Sequence, residues 1–262
     1  MPLEKGSLIF ANYTSRVKDT GEAVDTTREE DAKKMNVFDA TRKYEPRLVA
    51  VGDGWLIAGL DEEVKKMNVG ERKEVELSPE KAFGQRDPTQ TRMMPLRKFG
   101  DREHEIEVGD SVEIDNRVGI IRFIGSGRAQ VDFNHRLAGK SIVYDFEVVE
   151  KVEGADGRVK ALIGRRFGDE GGKLTFKLGD GNLEVDIPDE LFLMDGLQII
   201  KRGISADVFK YIPSVTSLTF AEKFVNKNPE VKKAEAKTEP ELAPAQTAPK
   251  PRKKKQPASP QA

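Results

Sequence analysis

Val51 to Glu71 reads VGDGWLIAGLDEEVKKMNVGE, and the reading of this stretch decides the rest. It begins as a strand, turns through Gly52-Asp53-Gly54, passes Trp55, Leu56 and Ile57, and becomes a short helix. Leu60, Val64 and Met67 recur at i, i+4 and i+7, the spacing of a stripe that faces a core. Asp61, Glu62 and Glu63 crowd the first turn and Lys65 and Lys66 the end, which complements the helix dipole, and Gly70 is placed to supply a left-handed stop. The first turn, entered through Leu56 and Ile57, has backbone N–H groups with no partner inside the helix. The expected result is an apolar floor with donors at its rim, suited to an uncharged, extended ligand.

Upstream, Ser7 to Lys18 reads as a strand in which Leu8, Phe10 and Asn12 alternate with Ile9, Ala11 and Tyr13. Thr20-Gly21-Glu22 is a turn, and Ala23 to Thr26 resumes an extended path. The charge-dense segment Thr27 to Lys43 contains EEDAKKM, a surface helix, and forms a flap before Tyr44 to Val51 returns to strand. Downstream, Glu71 to Leu77 is another strand, and SPEKAFG, Ser78 to Gly84, closes the block with a turn and one aromatic, Phe83.

The next region reads as a small β unit. Ser111 to Ile114, Val118 to Ile124 and Arg128 to Val131 alternate around turns at Asp115-Asn116-Arg117 and Gly125-Ser126-Gly127. Met93, Met94 and Leu96 either plug its core or present a soft apolar surface for unfolded chains, and the residues alone leave these two readings even. Further on, Lys173 to Leu178 and Leu183 to Ile187 form a hairpin around Gly179-Asp180-Gly181-Asn182. Asp189 to Met194 and Ser205 to Tyr211 look helical and Val215 to Phe220 extended, an α+β unit without a catalytic constellation.

Composition bounds the function. At 262 residues about two domains are expected, and 37% hydrophobic residues suffice for real cores. No run approaches the ~20 apolar residues of a membrane span. No basic, then apolar, leader opens the chain, and cysteine is absent, so thiol chemistry and disulfides are excluded and a reducing cytoplasm is the simplest home. The net charge of −1 conceals an asymmetry: Lys227 to Ala262 carries nine Lys or Arg against four Glu, +5, leaving −6 for the remainder. This tail, rich in Pro, Ala and Gln, is expected to be disordered, and its PKPRKKK cluster is either a solubilising extension or a contact for ribosomal RNA or another polyanion.

Several motifs taken in order resemble an FKBP-type peptidyl-prolyl cis/trans isomerase. They are Tyr13, GEAVD (Gly21 to Asp25), LIAGL (Leu56 to Leu60), NVGE (Asn68 to Glu71), SPEKAFG and SIVYDFEVV (Ser141 to Val149). The interruption after Gly84, followed by VDFNHRLAGK (Val131 to Lys140), is similar to the SlyD-like branch, and long-form archaeal members are the nearest in organisation. The resemblance covers about residues 1–152. It implies an α+β fold in which an antiparallel sheet wraps a short helix, residues 1–84 plus 132–152, with a small β domain inserted in the flap at 85–131. An α+β C-terminal domain at 153–226 and the tail at 227–262 complete the division. The pocket implied by the family maps onto Tyr13, Val24, Asp25, Leu56, Ile57, Leu60, Phe83 and Tyr144, with Phe133, His135 and Leu137 returning from the insert to its edge. Leu60 stands where the best-known members have tryptophan, keeping an apolar floor of smaller area. Phe83 stands where they have tyrosine, which removes a hydroxyl that would bond a bound carbonyl.

The resemblance also implies chaperone activity from the insert on unfolded or nascent proline-containing polypeptides, which tips Met93, Met94 and Leu96 toward an exposed client-binding surface, and self-association or client binding through the C-terminal region, here offered as a homodimer. Taken singly, Leu56, Ile57, Leu60, Val24 and the aromatic residues are equally ordinary as core, and Asp25 as a turn residue. Their order and spacing together favour the functional reading. A degenerate pocket serving a non-catalytic holdase is the alternative. No cofactor or metal is expected. Gly52-x-Gly54 lacks the third glycine of a dinucleotide fingerprint, since Ile57 occupies that place, and His104 and His135 lack spaced partners. The tail has neither the His nor the Cys with which SlyD-like tails bind nickel.

Overall fold

The computed structural model of the protein describes residues 3–102 and 105–225. In chain order its first elements are β1 (Leu8–Val17), β2 (Ala23–Thr26), α1 (Glu29–Lys34), β3 (Arg47–Ala50), α2 (Ala58–Val64) and β4 (Arg72–Leu77). β5 (Thr91–Pro95), β6 (Ser111–Ile114), β7 (Arg117–Gly125) and β8 (Arg128–Asp132) form a separate sheet before β9 (Ile142–Lys151) returns to the first one. α3 (Ala155–Phe167), β10 (Thr175–Gly179), β11 (Asn182–Ile187), α4 (Leu197–Tyr211) and β12 (Ser217–Glu222) follow. The fold is thus mixed α+β, with mainly antiparallel sheets and few helices.

The first sheet has the order β2-β1-β9-β4, with β3 also on β1, and every pairing in it is antiparallel. Because side chains alternate along a strand, β1 presents two faces. Ile9, Ala11 and Tyr13 face α2 and pack with Leu60, Val64, Met67, Val75, Leu77 and Phe146. Leu8 and Phe10 face the other way and join a second core with Leu48, Ala50, Val152 and the apolar stripes of α3 and α4. Both faces of β1 are therefore covered, and burying a residue such as Leu60, 1% exposed, contributes ~1.5–3 kcal/mol. α2 lies hard against the sheet at Gly59, where an added Cβ would stand 2.8 Å from the Lys81 carbonyl oxygen and 2.9 Å from Leu77.

The organising helix is shorter than its sequence spacing suggests. It ends at Val64, so only Asp61 of the three acids lies in its first turn. Asp61 is buried and accepts the Gly52 N–H at 2.8 Å, tying the preceding loop to the helix. Gly70 is left-handed, as expected, but it turns the chain into β4 and donates its N–H to Val148 rather than ending α2.

Three further hairpin turns follow the local chemistry. Asp115-Asn116, Ser126-Gly127 and Asp180-Gly181 all have positive φ at both positions, the twist that a two-residue hairpin needs. The C-terminal region departs more from expectation. The thirteen-residue α3 has no counterpart in the sequence reading, Asp189 to Met194 yields only a 3-10 turn at Asp189–Leu191, and α4 begins at Leu197 rather than Ser205. β12 pairs with β11 in parallel, which the long crossover through α4 permits. The basic tail and its expected polyanion contact, like His104, lie outside the described residues. Among the described residues no helix is long and apolar enough to cross a membrane.

Candidate active site

Tyr13 and Asp25 meet because β1 and β2 pair with Ser15 opposite Asp25. The Tyr13 hydroxyl donates to Asp25 Oδ2 at 2.7 Å, and Arg42 donates to Asp25 Oδ1 at 2.6 Å and to the Thr26 carbonyl at 2.9 Å. Arg47 donates to Tyr13 Oη at 2.9 Å and lies 3.4 Å from Asp25 Oδ2. The charged segment that delivers Arg42 is pinned to the sheet by Thr14, whose hydroxyl donates to Asp31 at 2.6 Å, and by Arg28, which pairs with Asp145 and Glu147. Burial by itself would raise the Asp25 carboxyl. The hydrogen bonds from Tyr13 and Arg42 and the nearby charge of Arg47 outweigh it and hold Asp25 below the usual carboxylate range. Burial first, and then the hydrogen bond to Asp25, push the Tyr13 phenol well up, so this hydroxyl stays a donor. Tyr144 is likewise raised, chiefly by burial.

Behind this polar rim lies an apolar floor. The Tyr13 ring stacks on Phe146, with centroids 6.4 Å apart and planes 8° apart, and is tilted against Tyr144 at 6.2 Å. Leu60 and Leu137 are buried in the same cluster, with Val24, Leu56, Ile57 and Phe83 packed at its margin. Ile57 caps α2 in extended conformation. Its carbonyl accepts the Asp61 N–H at 3.0 Å, and its own N–H has no hydrogen-bond acceptor among the described residues. Phe83 stacks on His135 at 4.8 Å and 8°, and the Gly139 N–H donates to the Gly84 carbonyl at 2.9 Å, so the turn before the second sheet and the segment after it are joined.

Of the residues expected to return to the pocket edge, His135 stacks on Phe83 and Leu137 is buried in the cluster of Tyr13 and Leu60. Phe133 does not return there: it packs on the core of the β5–β8 sheet beneath Arg117, whose guanidinium is 4.8 Å from the ring centroid. The methionine pair also divides. Met94 is buried with Val112, Ile114, Ile121 and Val131, which corrects its expected place on an exposed client-binding surface, and Leu96 packs at the margin of that core. Met93 is 48% exposed. Register sets Met93 beside Gln130 and Gln130 beside Phe123, so Met93 and the exposed Phe123 share one face of the sheet. Arg42 and Arg47 were not legible as site residues, because nothing in the sequence marks Asp25 as partly buried and so in need of a cation.

A cleft of about 990 Å³ adjoins the site. Tyr13, Arg47 and Leu56 line it together with Trp55, and across from them stand Lys160, Ala161, Gly164 and Arg165 of α3. Arg165 lies 3.6 Å from the Trp55 ring centroid, and Tyr211 of α4 meets the same indole edge-on at 5.6 Å.

The family model for FKBP-type peptidyl-prolyl cis-trans isomerase matches residues 2–98. That for the FKBP26, IF domain matches residues 92–137, and that for FKBP26_C-terminal residues 155–225. A short-type peptidyl-prolyl cis-trans isomerase of Methanocaldococcus jannaschii is 34% identical over 146 residues, 56% of this chain and 92% of that protein. An FKBP-type 16 kDa peptidyl-prolyl cis-trans isomerase of Escherichia coli is 28% identical over 153 residues, 56% of this chain and 93% of that protein. The FKBP-type isomerase SlyD of Helicobacter pylori is 31% identical over 119 residues, 44% of this chain and 63% of that protein.

Proposed function

Because the chain belongs to the FKBP-type peptidyl-prolyl cis-trans isomerase family, we propose that it isomerises X-Pro bonds of unfolded or folding polypeptides at the Tyr13–Asp25 site. The observation that carries the reading is an apolar floor with one ionised carboxylate held at its rim by Tyr13, Arg42 and Arg47. Rotation about a peptide bond meets a barrier of ~18–20 kcal/mol because conjugation gives the C–N bond double-bond character. For X-Pro both isomers are accessible, and exchange between them breaks no bond. The planar imide is the more dipolar state. Walls formed by Tyr13, Leu56, Ile57, Leu60, Phe83 and Tyr144, with Val24 and Leu137 beside them, strip water from it and so favour the twisted state. The Ile57 N–H, without an acceptor among the described residues, holds the carbonyl before the proline, and Asp25 orients the twisted imide and the Tyr13 hydroxyl. The test is the cis/trans exchange rate of a short X-Pro peptide, measured by NMR with intact protein. No acceleration by well-folded protein would replace this reading with the non-catalytic holdase.

The β5–β8 sheet, as an insert-in-flap domain, holds unfolded substrate near the site and raises the local concentration of proline bonds. The exposed row of Met93 and Phe123 supports this. With both changed to Ser, suppression of aggregation of an unfolded client falls while short-peptide isomerisation persists; unchanged suppression would refute the assignment. The C-terminal region pairs two copies of the chain. Leu193 at 95% exposure and Ile199 at 78% are apolar groups in need of cover. Light scattering should return a dimer mass that Ile199→Asp reduces to a monomer, and a monomeric intact protein would end the idea.

A further inference from the structure

We propose that the cleft between β3 and α3 is a second substrate subsite, which receives the extended polypeptide flanking the target proline. The inference rests on the isomerase reading above and adds a wall to its site. Tyr13, Arg47 and Leu56 line both the catalytic floor's rim and the cleft, so a chain leaving the floor enters the cleft without crossing open surface. At about 990 Å³ the cleft lies at the upper end of the ~300–1,000 Å³ range of ligand pockets, more than a proline and its neighbour fill.

The shape of its walls favours a polypeptide. Its floor is apolar, built from Phe10 of β1, Leu48 of β3 and Val152 just after β9 on one face of the sheet, and Glu45 to Val49 line one side consecutively. Apolar contact along such a floor accepts varied side chains, as a folding catalyst of many clients requires. The charges of the cleft are of both signs, with Lys151, Lys160 and Arg165 against Glu150 and Glu153. That mixture suits varied sequences rather than a polyanion. The two walls are held together at Trp55, which is clasped by Arg165 and Tyr211. α3 is accordingly a substrate-binding element of the enzyme as well as a structural one.

Gly164 supplies the test. An added Cβ there meets nothing within 4 Å, so Gly164→Leu fills cleft space without displacing core, and Gly164→Ala controls for the gain in helix propensity. The intact protein and both variants are assayed on an X-Pro tetrapeptide and on a peptide of about 15 residues, about 50 Å when extended, with the same central sequence. Gly164→Leu should raise KM for the long peptide about tenfold, with kcat and all tetrapeptide kinetics unchanged, and Gly164→Ala should behave as the unaltered protein. Equal effects on both peptides, or none on either, overturn the subsite. If the unaltered protein accelerates neither peptide, the isomerase reading itself has failed. NMR then decides the subsite separately: the long peptide but not the tetrapeptide should shift the amides of Gly157, Gly164 and Gly168, and no shift there overturns it.

Discussion

Asp25→Ala lowers kcat/KM for a short X-Pro peptide by about 100-fold, close to 2.7 kcal/mol at about 1.36 kcal/mol per factor of ten, and leaves the protein folded. The fold survives because the two cations released, Arg42 and Arg47, are 33% and 51% exposed in their side chains and regain water. Activity does not survive, because the carboxylate fixes the Tyr13 hydroxyl at 2.7 Å and places a negative charge at the rim of the apolar floor. Asp25→Asn, which keeps an acceptor for Tyr13 but loses the charge, should fall between. The pH profile follows from the sign of the shift. The folded carboxyl titrates below its unfolded value, so it is charged throughout the range above ~3.9, where a free Asp titrates, and is neutralised only as pH falls further. The rate should therefore be flat from neutrality to about pH 5, judged against the unfolded reference. A folded Asp25→Ala protein within about twofold of the parent would remove Asp25 from the mechanism.

Phe146→Ala should cost about 3–5 kcal/mol in urea unfolding, a large share of the ~5–15 kcal/mol that stabilises a typical domain. Phe146 is fully buried on β9, and its ring backs the Tyr13 ring while its register neighbours, Tyr13 and Lys73, belong to the two flanking strands. The void left behind would open beneath Tyr13, so activity in the residual folded protein should also fall. A loss under about 1.5 kcal/mol would mean that α2 and the sheet close over the cavity, which the tight seat of Gly59 on Lys81 and Leu77 opposes.

How far the sequence disclosed the fold depended on the length scale of the signal. β1, β2, β4 and the three tight turns are written in period-two alternation and Asn, Asp and Gly placement, which act over a few residues. α3 was hidden because Gly157 and Gly164 interrupt its helical propensity and Arg158, Lys160, Arg165 and Arg166 interleave its apolar stripe. Val159, Leu162, Ile163 and Phe167 become a helical face only when the second core covers them. The Met93 and Met94 pair was in principle legible, since a strand at Thr91–Pro95 must send adjacent side chains to opposite faces. The site divides in the same way. Tyr13, Asp25, Leu56, Ile57 and Tyr144, named from ordered motifs, lie together in the structure, whereas Arg42 and Arg47 reach Asp25 across 17 and 22 positions of chain with no local periodicity to announce them. Phe133 misled because a segment returning from one sheet to another can lend its side chain to either.

The seam between the two cores also gives the molecule an optical probe of its own. Trp55 is the single tryptophan in the chain, and it packs against both cores, with a guanidinium at its face and a tyrosine at its edge. Its emission colour and lifetime therefore register solvent entry at one place, the junction where the loop leading into α2 meets α3 and α4. Intrinsic fluorescence of this protein reports the parting of those halves, while far-ultraviolet circular dichroism reports the loss of either.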